Sequence, residues 1–149
     1  MKSAVVEAVS AEWKIKEIPQ PKPTPNQVLI KIVASGLCYT DVHLTEGHIP
    51  VHFPHTLGHE PVGEIVELGS AVTTRNMGDR VGVPWLQNAC GRCEWCNRGR
   101  AMFCAEQIGT GIQLDGGHAQ YMLADANSTM LLPDAISFEE AACIFCAGF

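Results

Sequence analysis

The sequence predicts a mainly β domain with a few short helices, arranged as a barrel or sandwich. Three observations support this prediction: short apolar or β-branched runs, glycine and proline between the runs, and one firm helical pattern near the end of the chain. Many short strands separated by turn residues are typical of β-barrels and sandwiches. The length of 149 residues fits one domain, residues 1–149.

The predicted strands follow the apolar runs in chain order, and several of them end at a turn residue. They are AVVEAV (4–9), WKIKEI (13–18), QVLIKIVASG (27–36), EPVGEIVELG (60–69), DRVGVPW (79–85) and, after a Gly-Gly turn, GGHAQYMLADANSTMLLP (116–133). Four prolines within residues 19–26 predict an extended surface loop between the second and third strands.

Helix is predicted in two places. The stretch TDVHLTEG allows one or two helical turns, with Thr40 or Asp41 as the N-terminal cap. The stretch SFEEAACIFCAG (137–148) begins with Ser137 and Glu140 at the spacing of a capping box, which predicts a helix there.

Composition and charge exclude several functions. The formal net charge of −6 argues against a general affinity for nucleic acid. No apolar run approaches the roughly 18 residues that a membrane helix needs, and the first residues are not a secretory signal. We therefore expect a cytoplasmic protein with neither nucleic acid nor membrane as a partner. Seven cysteines in that reducing compartment, an odd number, indicate a use other than a disulfide framework.

The chain contains no dinucleotide-binding fingerprint. The segment GTGIQLDGG (109–117) has glycines, but the third is misplaced and no helix-forming run follows. We therefore expect no Rossmann cofactor domain within residues 1–149.

Four cysteines are concentrated in ACGRCEWCNRGRAMFC, residues 89–104. Gaps of two, two and seven residues let the side chains converge on one metal from a tight loop, and Gly91 and Gly99 ease the turns. Four thiolates without an open position describe a structural zinc site. Two other interpretations stay open. One is an iron–sulfur cluster, although in the ferredoxin pattern the fourth cysteine is closer and is followed by proline. The other is a disulfide-bonded or merely buried set of cysteines. The predicted ligands are Cys90, Cys93, Cys96 and Cys104.

A second set of potential ligands is scattered through the chain. Cys38 follows one predicted strand, His59 immediately precedes another, and Cys143 and Cys146 lie three apart in the predicted helix. A thiolate, an imidazole and a second thiolate can hold zinc and leave one position free for water or substrate. Two thiolates cancel the charge of the zinc, so an alkoxide bound there is electron-rich, which favours hydride departure. Taken singly, Cys38 is better explained as a small buried residue and His59 as a satisfied polar group, while Cys143 and Cys146 fit a ligand or the core.

Two acidic residues accompany this second set. Successive side chains of an extended chain point to opposite sides, so Glu60, next to His59, is expected beside the metal ligands or as an occasional ligand. Asp41 is the candidate partner for the second ring nitrogen of His59, whose tautomer it would fix.

The longest motif is GHEPVGEIVELGSAV (58–72), in which G-H-E, two residues, G, five residues and G follow one another. With GLCYTDVH, VPWLQNACGRCEWC, DGGHAQYMLAD and IFCAG, it resembles the zinc-dependent medium-chain alcohol dehydrogenases, microbial ethanol-type members in particular. The resemblance covers essentially the whole chain. It implies a GroES-like β-barrel catalytic domain of the α+β kind.

The resemblance also implies a reaction and the residues that perform it. The reaction is oxidation of small primary alcohols to aldehydes by hydride transfer to NAD, with two zinc ions in each chain. Thr40 would take the proton of the alcohol, and His43 would pass it outward. Trp85 would line the substrate pocket, and Tyr39 would contact the cofactor. The implied ligands are Cys38, His59 and Cys146 for the catalytic zinc and Cys90, Cys93, Cys96 and Cys104 for the structural zinc.

The sequence departs from the family pattern in three places. Cys143 replaces a more usual proline and is expected to fill the core, with competition as a metal ligand as the alternative, and His118 replaces a more usual tyrosine. The family's cofactor domain should begin soon after Phe149. We therefore expect this chain to be a catalytic half that binds zinc but does not turn over alone. The full-length protein is expected to be a homo-oligomer, either a tetramer or a dimer. The histidines expected to be surface or loop residues are His48, His52, His55 and His118.

Two other functions stay open. The same fold occurs in NADP-dependent reductases and polyol dehydrogenases, and a non-enzymatic zinc-binding module would also carry the cysteine-rich stretch. The number of zinc ions in each chain distinguishes these functions: the non-enzymatic module would bind one, and the catalytic domain two.

Overall fold

The computed structural model describes residues 1–146 and residue 148. This part of the chain is mostly β, with ten strands and three short α-helices. The strands are β1 Lys2–Val6, β2 Lys14–Glu17, β3 Gln27–Ser35, β4 His55–Thr56, β5 Pro61–Leu68, β6 Arg80–Gly82, β7 Leu86–Asn88, β8 Ile108–Gly109, β9 Tyr121–Asp125 and β10 Met130–Leu131. The helices are α1 Tyr39–Thr45, α2 Glu94–Asn97 and α3 Phe138–Ala142.

The described strands form three antiparallel sheets. The largest has the order β10-β6-β5-β3-β9, a smaller one has the order β2-β1-β4, and β7 pairs with β8. Within the described residues no pairing joins the edge strands β10 and β9, so the large sheet does not close into a barrel. The mainly β fold with a few short helices is confirmed.

The main core lies on the large sheet, whose interior strand β3 is covered on both faces near its start. Val28, Leu29 and Ile30 are at most 1% exposed, and Val28 and Ile30 pack with Ile65 of β5 and Val81 of β6. Each such side chain stabilises the fold by about 1.5–3 kcal/mol through removal of its apolar surface from water. A second cluster, with Val6, Leu44 and Leu57 at its centre, joins β1 to α1.

A third cluster fixes the end of the described chain against the sheet. Phe145 packs with Ala141 and Ala142 of α3 and with Val62 of β5. Its ring occupies the space above Gly82, where an ideal Cβ would lie 2.0 Å from the ring atom Cζ. Because no side chain larger than hydrogen fits at this position, glycine lets the segment after α3 approach β6.

Most predicted elements overlap observed ones but are longer, the first strand is displaced from β1, and β4, β7, β8 and α2 were not predicted. The capping box of Ser137 and Glu140 is confirmed, but α3 ends at Ala142 instead of running to residue 148. The predicted strand 116–133 is divided into β9 and β10 by a short 3₁₀ turn. The predicted caps of α1 are wrong, because Cys38 is the cap and the Asp41 carboxylate accepts its backbone N–H.

Within the described residues, none of the helices has the length and apolar character required to cross a membrane.

Candidate metal centres

The four cysteines of the 89–104 stretch converge in a small lobe between β7 and β8. One sulfur from each lies within 4.8 Å of the others; the residues are Cys90, Cys93, Cys96 and Cys104. The Sγ atoms of Cys90 and Cys96 are 3.9 Å apart, and all four thiols are free. Gly91 and Gly99 adopt φ values of +70° and +69°, so they make the left-handed turns expected of them.

Backbone N–H groups stabilise negative charge on the sulfurs of this lobe. Cys93 N donates to Cys90 Sγ at 3.3 Å, and Glu106 N donates to Cys104 Sγ at 3.3 Å. Hydrogen bonds from the backbone of Arg92 and Cys93 lower the pKa of Cys90 to about 6. Burial and the neighbouring thiols raise the pKa of Cys96 to about 12. The lobe therefore stabilises one thiolate, but ionisation of a second cysteine is unfavourable until a cation is present.

The second cluster brings together side chains from three distant segments. Cys38 lies just after β3, His59 and Glu60 lie just before β5, and Cys146 follows α3; one ligand atom from each is within 4.8 Å of the others. The Sγ atoms of Cys38 and Cys146 are 3.7 Å apart. β3 and β5 are hydrogen-bonded neighbours, and α3 packs against them, so the sheet determines this meeting point.

His59 is the buried centre of this cluster. Its side chain is 0% exposed, and neither ring nitrogen has a hydrogen-bond partner. Nδ1 lies 3.5 Å from Asp41 Oδ1, and Nε2 lies 4.0 Å from Glu60 Oε1. Burying a ring nitrogen without a hydrogen-bond partner costs free energy. A metal ion bound to the surrounding sulfurs would supply that partner.

Asp41 holds this region together from the first turn of α1. Its carboxylate accepts hydrogen bonds from Cys38 N at 3.0 Å and from Gly58 N at 3.2 Å, and it is 0% exposed. Burial opposes the charge, but His118, His59 and the Cys38 N–H together hold the pKa of Asp41 well below its usual range. Asp41 therefore lies beside His59 as the sequence predicted, and it stays ionised.

The two thiols of the cluster differ in acidity. Burial would raise the pKa of Cys38, but the neighbouring Thr40, His59 and Cys146 bring it below its ordinary value. Burial and the nearby Cys38 sulfur raise the pKa of Cys146 to about 11. As in the cysteine-rich lobe, one thiolate forms readily and the second requires a cation.

Glu60 lies closer to Cys38, His59 and Cys146 than expected from the alternation of side chains along a strand. Strand β5 begins at Pro61, so the alternation of an extended strand does not apply to His59 and Glu60. Room for the carboxylate comes from Gly36, where an ideal Cβ would lie 2.0 Å from Glu60 Oε2. Gly36 N also donates to Glu60 O at 3.1 Å, which fixes the backbone here.

The remaining predicted residues surround the cluster. Thr40 Oγ1 is 3.6 Å from Cys38 Sγ. The ring of Trp85 meets that of His59 edge-on, with 5.2 Å between the centroids. His43 lies one turn after Thr40 on α1 and contacts the ring of Tyr39, which is 71% exposed.

Sequence reasoning misplaced three residues. His55 is buried in β4, and the side chain of His118 is only 10% exposed, although both were expected as surface or loop residues: His118 Nε2 lies 3.6 Å from Asp41 Oδ2, and His55 Nδ1 lies 3.4 Å from Asp115 Oδ1. Cys143 is exposed at the end of α3 and so does not fill the core. No local pattern marks His118, because backbone hydrogen bonds between residues 116–118 and 56–58 bring it to Asp41.

Both clusters fit zinc by their donor atoms. Zinc binds thiolate sulfur and imidazole nitrogen, in closed four-sulfur sites or in three-ligand sites with one open position. The lobe offers four sulfurs, and the second cluster offers two sulfurs, the unpartnered nitrogen of His59 and a carboxylate.

Comparison with known proteins agrees with this geometry. Residues 24–134 match the model of the alcohol dehydrogenase GroES-like domain. The chain belongs to the alcohol dehydrogenase GroES-like domain family. The chain is 47% identical to an alcohol dehydrogenase of Geobacillus stearothermophilus, over 99% of its own length and 44% of the relative's. It therefore spans less than half the length of that curated relative.

Solved structures of this family share the fold. The chain superposes on CAD from Helicobacter pylori, complexed with NADP(H), with a TM-score of 0.90 and 27% identity, over 99% of this chain and 45% of the other. It also superposes on a thermostable alcohol dehydrogenase from Pyrobaculum aerophilum with bound cobalt and zinc, with a TM-score of 0.87 and 29% identity, over 95% and 44% of the chains.

Proposed function

We propose that this chain is the zinc-binding catalytic domain of an alcohol dehydrogenase that oxidises small primary alcohols to aldehydes, with NAD as hydride acceptor. The observation that carries the proposal is the convergence of Cys38, His59 and Cys146, with the buried Nε2 of His59 lacking any partner. Two thiolates and an imidazole leave one position of a tetrahedral zinc ion for the alcohol.

Each cluster has a separate task in this proposal. Cys38, His59 and Cys146 hold a catalytic zinc, with Glu60 as an alternate ligand within reach. When bound, this zinc supplies Lewis acidity that lowers the pKa of an alcohol hydroxyl. A structural zinc in the cysteine-rich lobe stabilises that lobe and binds no substrate, because four sulfurs leave no open position. Its ligands are Cys90, Cys93, Cys96 and Cys104.

The chain's own residues handle the proton and the substrate. Thr40 takes up the alcohol proton at Oγ1, which lies 3.6 Å from the Cys38 sulfur, and releases its own hydroxyl proton towards His43. His43 is three residues further along α1, on the same face, and passes the proton outward to solvent. Trp85 packs edge-on against His59 and limits the pocket to small alcohols. The exposed ring of Tyr39 contacts the nicotinamide cofactor.

The wider setting is part of the same proposal. The complete protein is a cytoplasmic homo-oligomer, a tetramer or dimer, in which a cofactor domain outside residues 1–149 binds NAD. A second acceptor, NADP, is favoured by the NADP(H) complex among the structural neighbours. Comparing initial rates with the two nucleotides decides between them.

The number of bound zinc ions tests the proposal. We expect two zinc ions per chain by mass spectrometry of metals, and Cys38→Ala should remove one of them. The matched control is Cys143→Ala, which removes an exposed thiol three residues before Cys146 and should leave both ions. If Cys38→Ala leaves two ions or removes both, the catalytic site is wrongly assigned.

A spectroscopic experiment tests the open position. Cobalt replaces zinc in such sites and reports changes in its ligands through its visible absorption bands. Adding ethanol or trifluoroethanol to the cobalt-loaded chain should shift these bands. In Cys38→Ala, whose cobalt is held only by the closed lobe, the bands should not respond. An equal response in both proteins would contradict an open site at Cys38.

A further inference from the structure

A third group of potential metal ligands lies at the end of α1, outside both cysteine clusters. One ligand atom each from His43, Glu46 and His48 lies within 4.8 Å of the others. The Nδ1 atoms of the two imidazoles are 3.2 Å apart, and Glu46 Oε2 is 3.7 Å from His48 Nδ1. Two imidazoles and a carboxylate are a common donor set for zinc and neighbouring divalent metals.

The backbone holds the two histidines together. His48 N donates to His43 O at 2.9 Å, and Gly47 N donates to Leu44 O at 3.2 Å. These two bonds form a Schellman motif, in which Glu46 caps α1 and the chain turns back through Gly47 at a φ of +80°. The turn places His48 beside His43, so an ion would not need to order this segment.

The distances suit a tetrahedral ion. With Zn–N bonds of about 2.0–2.1 Å, two nitrogens of one tetrahedral zinc are separated by about 3.3 Å. The separation of the two Nδ1 atoms, 3.2 Å, is close to this value. The side chains of His48 and Glu46 are 63% and 49% exposed, so a hydrated ion can enter without opening the fold.

We propose that His43, Glu46 and His48 form a third, surface metal site that binds Zn²⁺ or a similar divalent cation more weakly than the two cysteine clusters. Water completes its coordination. The competing explanation is a hydrogen bond between one protonated and one unprotonated imidazole, with no affinity for metal. The binding itself is independent of the proposed function. Its consequence, occupation of one ring nitrogen of the relay residue His43, rests on that function.

Equilibrium dialysis of the chain against Zn²⁺ alone tests this site. All proteins carry Cys143→Ser, so that the exposed thiol does not add a zinc ion. Free zinc is raised to roughly 0.1 mM, which nearly fills a site whose Kd is about 10 μM. The variants are His48→Ala and Glu46→Gln. The matched control is His52→Ala, another exposed histidine of the same segment.

We expect a third zinc ion in the parent protein above the two tightly bound ones. Its Kd should rise at least about tenfold in His48→Ala and in Glu46→Gln, since even the loss of an outer partner weakens metal sites roughly 10–100-fold. It should be unchanged in His52→Ala. No third ion in the parent, or an equal third ion in both variants, overturns the proposal. The two tight ions and their response to Cys38→Ala report separately on the proposed function.

Discussion

The two cysteine clusters use similar ligands but are assembled from very different lengths of chain. In the cysteine-rich lobe the outermost ligands, Cys90 and Cys104, are 14 positions apart, whereas Cys38 and Cys146 are 108 positions apart. Closing the short loop costs little entropy, but little apolar surface is buried there, so we expect the lobe to depend on a bound ion. The distant cluster is assembled by the sheet, which is stabilised by its own core.

Removing the ion from the lobe should produce the largest effect and the sharpest contrast. In Cys90→Ser/Cys93→Ser we expect the lobe to unfold locally, because a structural zinc contributes about 10–16 kcal/mol of apparent binding free energy in isolated zinc-finger peptides. Hydrogen exchange should become fast in residues 89–107 and stay slow in β3 and β5. Cooperative unfolding of the whole chain would show that the lobe and the sheet are not separate.

Crowding Gly82 should weaken the distant cluster through the fold. In Gly82→Ala the new Cβ meets the Phe145 ring, so the segment carrying Cys146 must move. Overpacking of this kind destabilises a protein by about 1–3 kcal/mol. Urea unfolding should show this loss, and the catalytic zinc should leave at a lower chelator concentration.

The lobe gives the comparison for this variant. Its zinc should be retained in Gly82→Ala as in the parent. Gly109→Ala is the matched control, because its nearest new contact is 3.2 Å, to the side chain of Gln113. If both glycine variants lose the catalytic zinc equally, crowding of Phe145 is not the cause.

Replacing Asp41 should affect the distant cluster with less damage to the fold. Asp41→Asn keeps the shape but removes the charge 3.5 Å from His59 Nδ1. We expect the catalytic zinc to bind about tenfold more weakly, since outer partners of ligating histidines contribute roughly 10–100-fold to metal affinity. Competition with a chromophoric chelator measures this change.

A second histidine–aspartate pair supplies the control. Asp115 lies 3.4 Å from His55 and is 68% exposed, outside both clusters. Asp115→Asn should leave both zinc affinities unchanged. If both variants lose zinc affinity equally, the cause is the change in the protein's net charge and not the position of Asp41.

The same contrast explains what could be predicted from the sequence. The lobe is local, so spacing alone pointed to a four-sulfur site, and the structure brings those four sulfurs together. The distant cluster could be assigned only through a family resemblance, because no spacing relates Cys38 to Cys146. Its geometry depends on the pairing of β3 with β5 and on the packing of Phe145 over Gly82.

Contacts made by backbone turns were beyond sequence reasoning. His118 was expected as a surface or loop residue without a role, yet hydrogen bonds of residues 116–118 to residues 56–58 place it against Asp41. Strands of two or three residues, such as β4 and β8, carry too few side chains to show a period. Glu60 was judged by strand alternation, which does not apply one residue before the strand begins.

The smallest expected effect comes from the cap of α3, the helix before Cys146. Ser137 Oγ accepts the N–H of Glu140 at 3.2 Å, and the Glu140 carboxylate accepts the N–H of Ser137 at 3.0 Å. Ser137→Ala should lower the free energy of unfolding by about 1 kcal/mol, the usual cost of losing a cap. The zinc content should stay unchanged, because Phe145 still anchors the segment to β6. Ser70→Ala, at an exposed serine, is the control and should cost nothing measurable. Loss of the catalytic zinc in Ser137→Ala would mean that the helix cap, rather than the packing on Gly82, positions Cys146.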